Sequence, residues 1–148
     1  MNRIDISAED GITKAPLEKA QKFIQEVLAK LQKTNWNVSV FFCSDGFIQK
    51  LNDRFRNKNE ATDVLSFPLG STVTEDNEEH FAAGDIVISL ETLKVNSDYF
   101  KINEDEELCR LLLHGILHLD GMDHLTNNAN EEMLIFQEQI LMELRGTA

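Results

Sequence analysis

Apolar residues recur at helical spacing along residues 16–33, where Leu17, Ala20, Phe23, Ile24, Val27, Leu28 and Leu31 share one stripe and Pro16 falls in the first turn. This predicts an amphipathic helix. The β-branched and aromatic run WNVSVFFC (36–43) predicts a strand, followed by Ser44 as the cap of a short helix reaching about Phe55. RIDIS (3–7) alternates and predicts a first strand, while DVLSFPL (63–69) and DIVISLE (85–91) predict two more. The intervening GSTVTEDNEEHFAAG is polar and acidic and is expected to be an exposed loop. Residues 91–100 are expected to be helical. Asn103 followed by Glu106 has the form of a capping box, opening a helix that runs through LCRLLLHGILHL to Gly121. A last helix is expected over residues 130–145, with Met133, Leu134, Ile140, Leu141 and Leu144 apolar. About four strands interleaved with four or five helices imply an α+β fold, a single mixed sheet covered by helices, with residues 1–148 forming one domain.

Composition narrows the class without changing that picture. The chain has 148 residues with 42% hydrophobic and 27% charged residues, seven Gly and two Pro, which excludes disordered and collagen-like classes. No apolar run approaches the roughly 18 residues of a spanning helix, and no apolar segment follows a basic start, so a cytoplasmic protein is expected. Cys43 and Cys109 lie in apolar stretches and are expected to be buried thiols; no C-x-x-C pair offers a cysteine zinc knuckle or a redox site.

The net charge is −12, spread as +1 over residues 1–50, −6 over 51–100 and −7 over 101–148. Such a field repels polyanions and argues against broad, non-specific nucleic-acid binding. One local exception is QKLNDRFRNK, where Lys50, Arg54, Arg56 and Lys58 outnumber Asp53.

The chemistry concentrates in HGILHLDGMDH, which holds His114, His118 and His124. Residues four apart on a helix share a face, so His114 and His118 can reach one point, and a chain turning back at Gly121 can add His124. Three imidazoles with a fourth position open is the catalytic form of a zinc site; structural sites close with four ligands. Satisfied core histidines are the bland alternative. The surrounding helix is apolar nearly all round, however, and each unpaired buried imidazole would cost about 1–3 kcal/mol, which a shared cation removes three times over. Gly115, in mid-helix at a cost of about 0.8–1.0 kcal/mol relative to Ala, implies that something approaches the helix closely. Metalloproteases of the H-E-x-x-H type carry their base directly after the first histidine, where this chain has Gly115. An acid or base must therefore come from elsewhere, with Asp63, Asp85, Asp120 and Asp123 as unranked candidates.

HGILHLDGMDH, together with RFRNKNEATDVLSFPLG and GDIVIS upstream, resembles the YbeY family of metal-dependent endoribonucleases, whose signature is H-G-x-L-H-L-x-G-x-D-H. The resemblance runs from about Ile48 to the C-terminus. It implies a zincin-like fold, one zinc ion held by His114, His118 and His124, catalytic roles for His114 and for Arg56 in the cleft, and single-strand cleavage in ribosomal RNA maturation and quality control. It further implies ribosomal RNA and ribosome or small-subunit assembly proteins as partners, with no membrane. Arg54, Arg56 and Lys58 are then expected on the cleft side, with Glu75 to Glu79 facing away. Two alternatives stand beside it: a metal-dependent hydrolase of a small molecule or peptide, favoured by a pocket too narrow for a nucleotide chain, and a non-catalytic ribosome-assembly factor with a structural metal.

Overall fold

Trp36, Val38, Val40 and Phe42 bury every second side chain of β2 (Trp36–Cys43), the pattern of a strand with one face on a core. The computed structural model describes residues 1–146. Its sheet has the order β1 (Arg3–Ala8), β2, β4 (Glu78–Ser89), β3 (Val64–Glu75), with β1, β2 and β4 parallel and β3 antiparallel at the edge. Parallel neighbours need a crossover, and α1 (Ala15–Lys30) supplies the one between β1 and β2. The other helices are α2 (Asp45–Arg56), α3 (Leu90–Phe100), α4 (Glu104–Leu119) and α5 (Glu132–Arg145). The described residues thus form the α+β fold expected: a four-stranded mixed sheet with five helices.

The core lies between the sheet and α1 and α4. Phe23, Ile24, Val27 and Leu28 of α1 meet Val38, Val40, Phe42, Ile86 and Ile88 of the sheet, and α4 is buried from Leu108 to Leu119 on several sides. A smaller cluster of Cys43, Ile48, Leu65 and Val87 includes Ile48 of α2. Gly115 allows α4 to press on the sheet: a Cβ there would stand 2.8 Å from Ile86 Cδ1. The close neighbour implied by the mid-helix glycine is therefore strand β4. Both cysteines are buried free thiols, and burial together with Glu9 and Asp45 pushes the Cys43 thiol up to about 12. Among the described residues no helix is long and apolar enough to cross a membrane.

The stretch expected as an exposed loop is instead a hairpin. β3 runs on to Glu75 and β4 starts at Glu78, and the two-residue turn Asp76–Asn77 has φ of 50° and 65°. Paired positive φ values match the right-handed twist of the flanking strands, and Asp and Asn tolerate them. Both strands are largely solvent-exposed there, so the alternation that marks a half-buried strand is missing. The Ser44 cap also differs. Ser44 occupies the cap position of α2, but its N–H and hydroxyl both donate to Glu9 Oε1, at 2.7 and 3.0 Å. Asn103 caps α4 as expected, accepting from Glu106 N at 2.7 Å, while the Glu106 carboxylate receives Arg110 rather than completing the box. α1 ends at Lys30, before a left-handed Gln32, and α5 starts at Glu132, after a turn in which Glu131 accepts from Leu125 and Thr126.

Candidate metal centre

His114 and His118 project from one face of α4, which closes at Asp120 and Gly121. Gly121, at φ 95°, turns the chain so that Met122 N bonds back to Leu117 O at 3.0 Å, and the returning segment delivers His124. The three ring centroids lie 4.5, 5.1 and 5.4 Å apart, and one ligand atom from each ring lies within 4.8 Å of the others.

Each Nδ1 faces an oxygen that can only accept: Gln137 Oε1 at 2.7 Å for His114, Met122 O at 2.9 Å for His118, and Thr126 O at 2.7 Å for His124. Each Nδ1 therefore carries the proton, and each Nε2 of a neutral ring presents a lone pair. His114 Nε2 and His118 Nε2 stand 3.0 Å apart with no hydrogen available between them. Two facing lone pairs repel unless a cation sits between them. Tetrahedral zinc, with bonds of about 2.0–2.1 Å, places ligands about 3.4 Å apart, so the donor set fits such an ion. Burial lowers the pKa of His114, and burial followed by the nearby His124 lowers that of His118, which keeps both rings in the neutral, ligating form.

His114 and His118 open onto a cleft of about 430 Å³ that Arg56, Ser66, Met122 and Asp123 also line. Arg56, the last residue of α2, donates from Nη2 to the Ser66 carbonyl at 3.1 Å and forms no ion pair among the described residues. Among the described residues its remaining N–H groups have no acceptor. Arg54 and Lys58 are exposed and do not line this cleft, and Arg54 lies over the Phe55 ring at 5.3 Å. Glu75 to Glu79 sit at the hairpin tip, at the other end of β3 from Val64, with Glu75 paired to Arg3.

The four aspartates separate by their partners. Asp120 is held by Lys33 at 2.9 Å and Asp85 by Ser39. Asp63 accepts from Val64 N at 2.8 Å and Asn96 Nδ2 at 3.2 Å, in a neighbouring cleft. Asp123 alone of the four lines the histidine cleft, 4.0 Å from His118 Nδ1. Gln137 escaped the reading of the sequence. It was visible as a polar residue between Met133 and Leu141 on the apolar stripe of the last helix, where a buried amide needs a partner.

An α+β sheet with three converging imidazoles at the edge of an open cleft has the layout of a hydrolytic metalloenzyme. The model of the family described as Endoribonuclease YbeY matches residues 4–145. The chain is 48% identical to the endoribonuclease YbeY of Treponema denticola over 86% of this chain and 83% of that protein. It is 39% identical to that of Treponema pallidum over 97% and 90%. It also resembles the solution structure of TM1509 from Thermotoga maritima, with TM-score 0.66 and 31% identity, covering 97% of this chain and 89% of that one. The chain belongs to the YbeY endoribonuclease family.

Proposed function

We propose that this endoribonuclease cuts single-stranded ribosomal RNA during maturation and quality control of the ribosome, in the cytoplasm, with one zinc ion held by His114, His118 and His124. The observation that carries this reading is the placement, among the described residues, of an Arg56 guanidinium without an ion pair on the same cleft as His114 and His118, two of three converging imidazoles. When bound, zinc supplies Lewis acidity toward a phosphoryl oxygen and lowers the pKa of water to about 7.

The chain's own groups do the rest. The free N–H donors of Arg56 bind the non-bridging oxygens of the scissile phosphate in a planar fork, and their charge offsets what builds there as the phosphorus is attacked. His114 and His118, fixed by Gln137 and the Met122 carbonyl, hold the centre in one orientation. Asp123 offers an exposed carboxylate that accepts the proton of the attacking oxygen. The metal cleft also adjoins a second cleft, with Val64 and His114 lining both, which suits a strand better than a small molecule. With Arg56 the only one of the three cations on the cleft, free RNA binds weakly against a net charge of −12, and ribosome or small-subunit assembly proteins deliver the substrate. Cleavage of single-stranded ribosomal RNA fragments by the wild type and His114→Ala tests this: loss of cleavage with the circular dichroism spectrum retained supports catalysis, and undiminished cleavage refutes it.

A further inference from the structure

We propose that the second cleft binds the base of the nucleotide next to the scissile phosphate, and that the Glu107 carboxyl group reads its N–H edge and selects guanine. The proposal rests on the endoribonuclease reading of the adjoining site.

The second cleft encloses about 800 Å³ and shares Val64 and His114 with the metal cleft, so the two adjoin. Its walls combine flat or apolar side chains, among them Phe100, Leu111 and Leu134, with a polar floor at Glu107 and Asn96. Phe100 is 60% exposed, a large apolar cost in water but a stacking surface for a base.

Glu107 is the anomaly in this cleft. It is 4% exposed, and among the described residues its carboxyl group has only a long ion pair, to Arg110. The neighbouring cation, Arg110, keeps Nη1 3.8 Å away, because its guanidinium is committed to Glu138 at 2.9 and 2.8 Å and to Glu106 at 3.0 Å. A carboxyl group buried without donors disfavours the native state, and burial accordingly raises its pKa. The other carboxylates of the cleft have partners: Asp63 receives Val64 N and Asn96, and Glu138 receives Arg110. Among the described residues Glu107 has no partner closer than Arg110 Nη1 at 3.8 Å.

Charge sets the direction of the strand. Arg56 stands on one side of His114, and Asp63, Glu106, Glu107 and Glu138 outnumber Arg110 on the other. A phosphate is attracted to the first side and repelled from the second, so a nucleotide spanning His114 enters the second cleft base first. Glu107 lies seven residues before His114 on α4, about 10.5 Å along the axis, which is the reach from a backbone phosphate to the far edge of its base. Guanine alone presents two adjacent N–H donors there, matching the two oxygens of a carboxylate. Adenine and cytosine present one amino group beside an acceptor. Uracil presents one N–H flanked by two carbonyl oxygens, which a carboxylate repels.

The test uses the zinc-loaded protein and Glu107→Gln. Uridine-rich single-stranded RNA oligonucleotides carrying one guanosine are compared with all-uridine controls, and guanosine and uridine 5′-monophosphate binding is measured by calorimetry. A bidentate pair predicts kcat/KM at the guanosine about tenfold or more above uridine, and a similar preference in nucleotide binding. Glu107→Gln reduces both ratios to below about threefold and raises the melting temperature, because a buried carboxyl group without a close donor is gone. A variant that melts lower marks Glu107 as structural and overturns the proposal. So do equal cleavage at both bases with equal nucleotide binding, or a guanine preference that survives in the variant. A Glu107-dependent preference for guanosine monophosphate without RNA cleavage supports the base subsite and defeats the endoribonuclease reading alone.

Discussion

Gln137→Leu removes the oxygen that receives the His114 Nδ1 proton at 2.7 Å while filling nearly the same volume at a position only 5% exposed. The imidazole then loses the contact that fixes both its orientation and its tautomer. An Nδ1–H left buried without a partner costs about 1–3 kcal/mol, and it can be relieved by moving the proton to Nε2, the atom that must face the metal. Either route penalises the bound state. Loss of such an outer partner lowers metal affinity about 10- to 100-fold, equivalent to about 1.4–2.7 kcal/mol. The assay is competition between metal-stripped protein and a chromophoric chelator for zinc at neutral pH. Gln137→Leu raises Kd by that factor, whereas Gln137→Glu, whose carboxylate still accepts from Nδ1, stays within about threefold of the wild type or binds tighter. The leucine variant binding zinc as tightly as the wild type would refute the assigned tautomer.

Arg56→Lys, which keeps the charge but loses the planar fork, lowers kcat/KM for RNA by about 10- to 100-fold in steady-state cleavage; a wild-type rate would remove the bidentate role. Gly84→Ala destabilises by about 2–4 kcal/mol, read as a drop of at least about 5 °C in melting temperature, because its φ is 140° and a Cβ there would overlap the Phe67 carbonyl oxygen. Glu107→Gln gains stability in a pH-dependent way. The folded pKa of Glu107 is raised above its ordinary value of about 4.3, so the native state holds a proton that the unfolded chain lacks, and native stability falls as pH rises through that window. The difference in melting temperature between variant and wild type is therefore near zero at pH 4 and grows toward neutrality, with Arg110, Asp63, Glu106 and Glu138 around the site unchanged in both proteins. A difference independent of pH would refute the burial of an ionisable group there.

The histidine centre was legible because two of its members obey the helical repeat and the third follows a glycine that can only turn the chain. The sheet was legible where one face is buried, as at Trp36, Val38, Val40 and Phe42. It was not legible from Gly70 to Glu79, where the hairpin is mostly exposed and the Asp76–Asn77 turn is the one local clue. Glu107 was hidden inside the acidic run Glu104 to Glu107, which reads as charge complementing the positive end of a helix; only tertiary packing distinguishes the buried member from the other three. Arg56 and Asp123 became specific for the same reason: a sequence shows charges, and the fold shows which of them line the cleft.

The central claim, that three histidines hold the ion on which RNA cleavage depends, is tested most directly by titrating metal-stripped protein with zinc while following cleavage of a single-stranded ribosomal RNA fragment. Activity absent at the start, rising linearly and reaching its plateau at one zinc per chain is the expected result. Full cleavage by the stripped protein, or a protein that binds one zinc and still leaves the RNA intact, would contradict it.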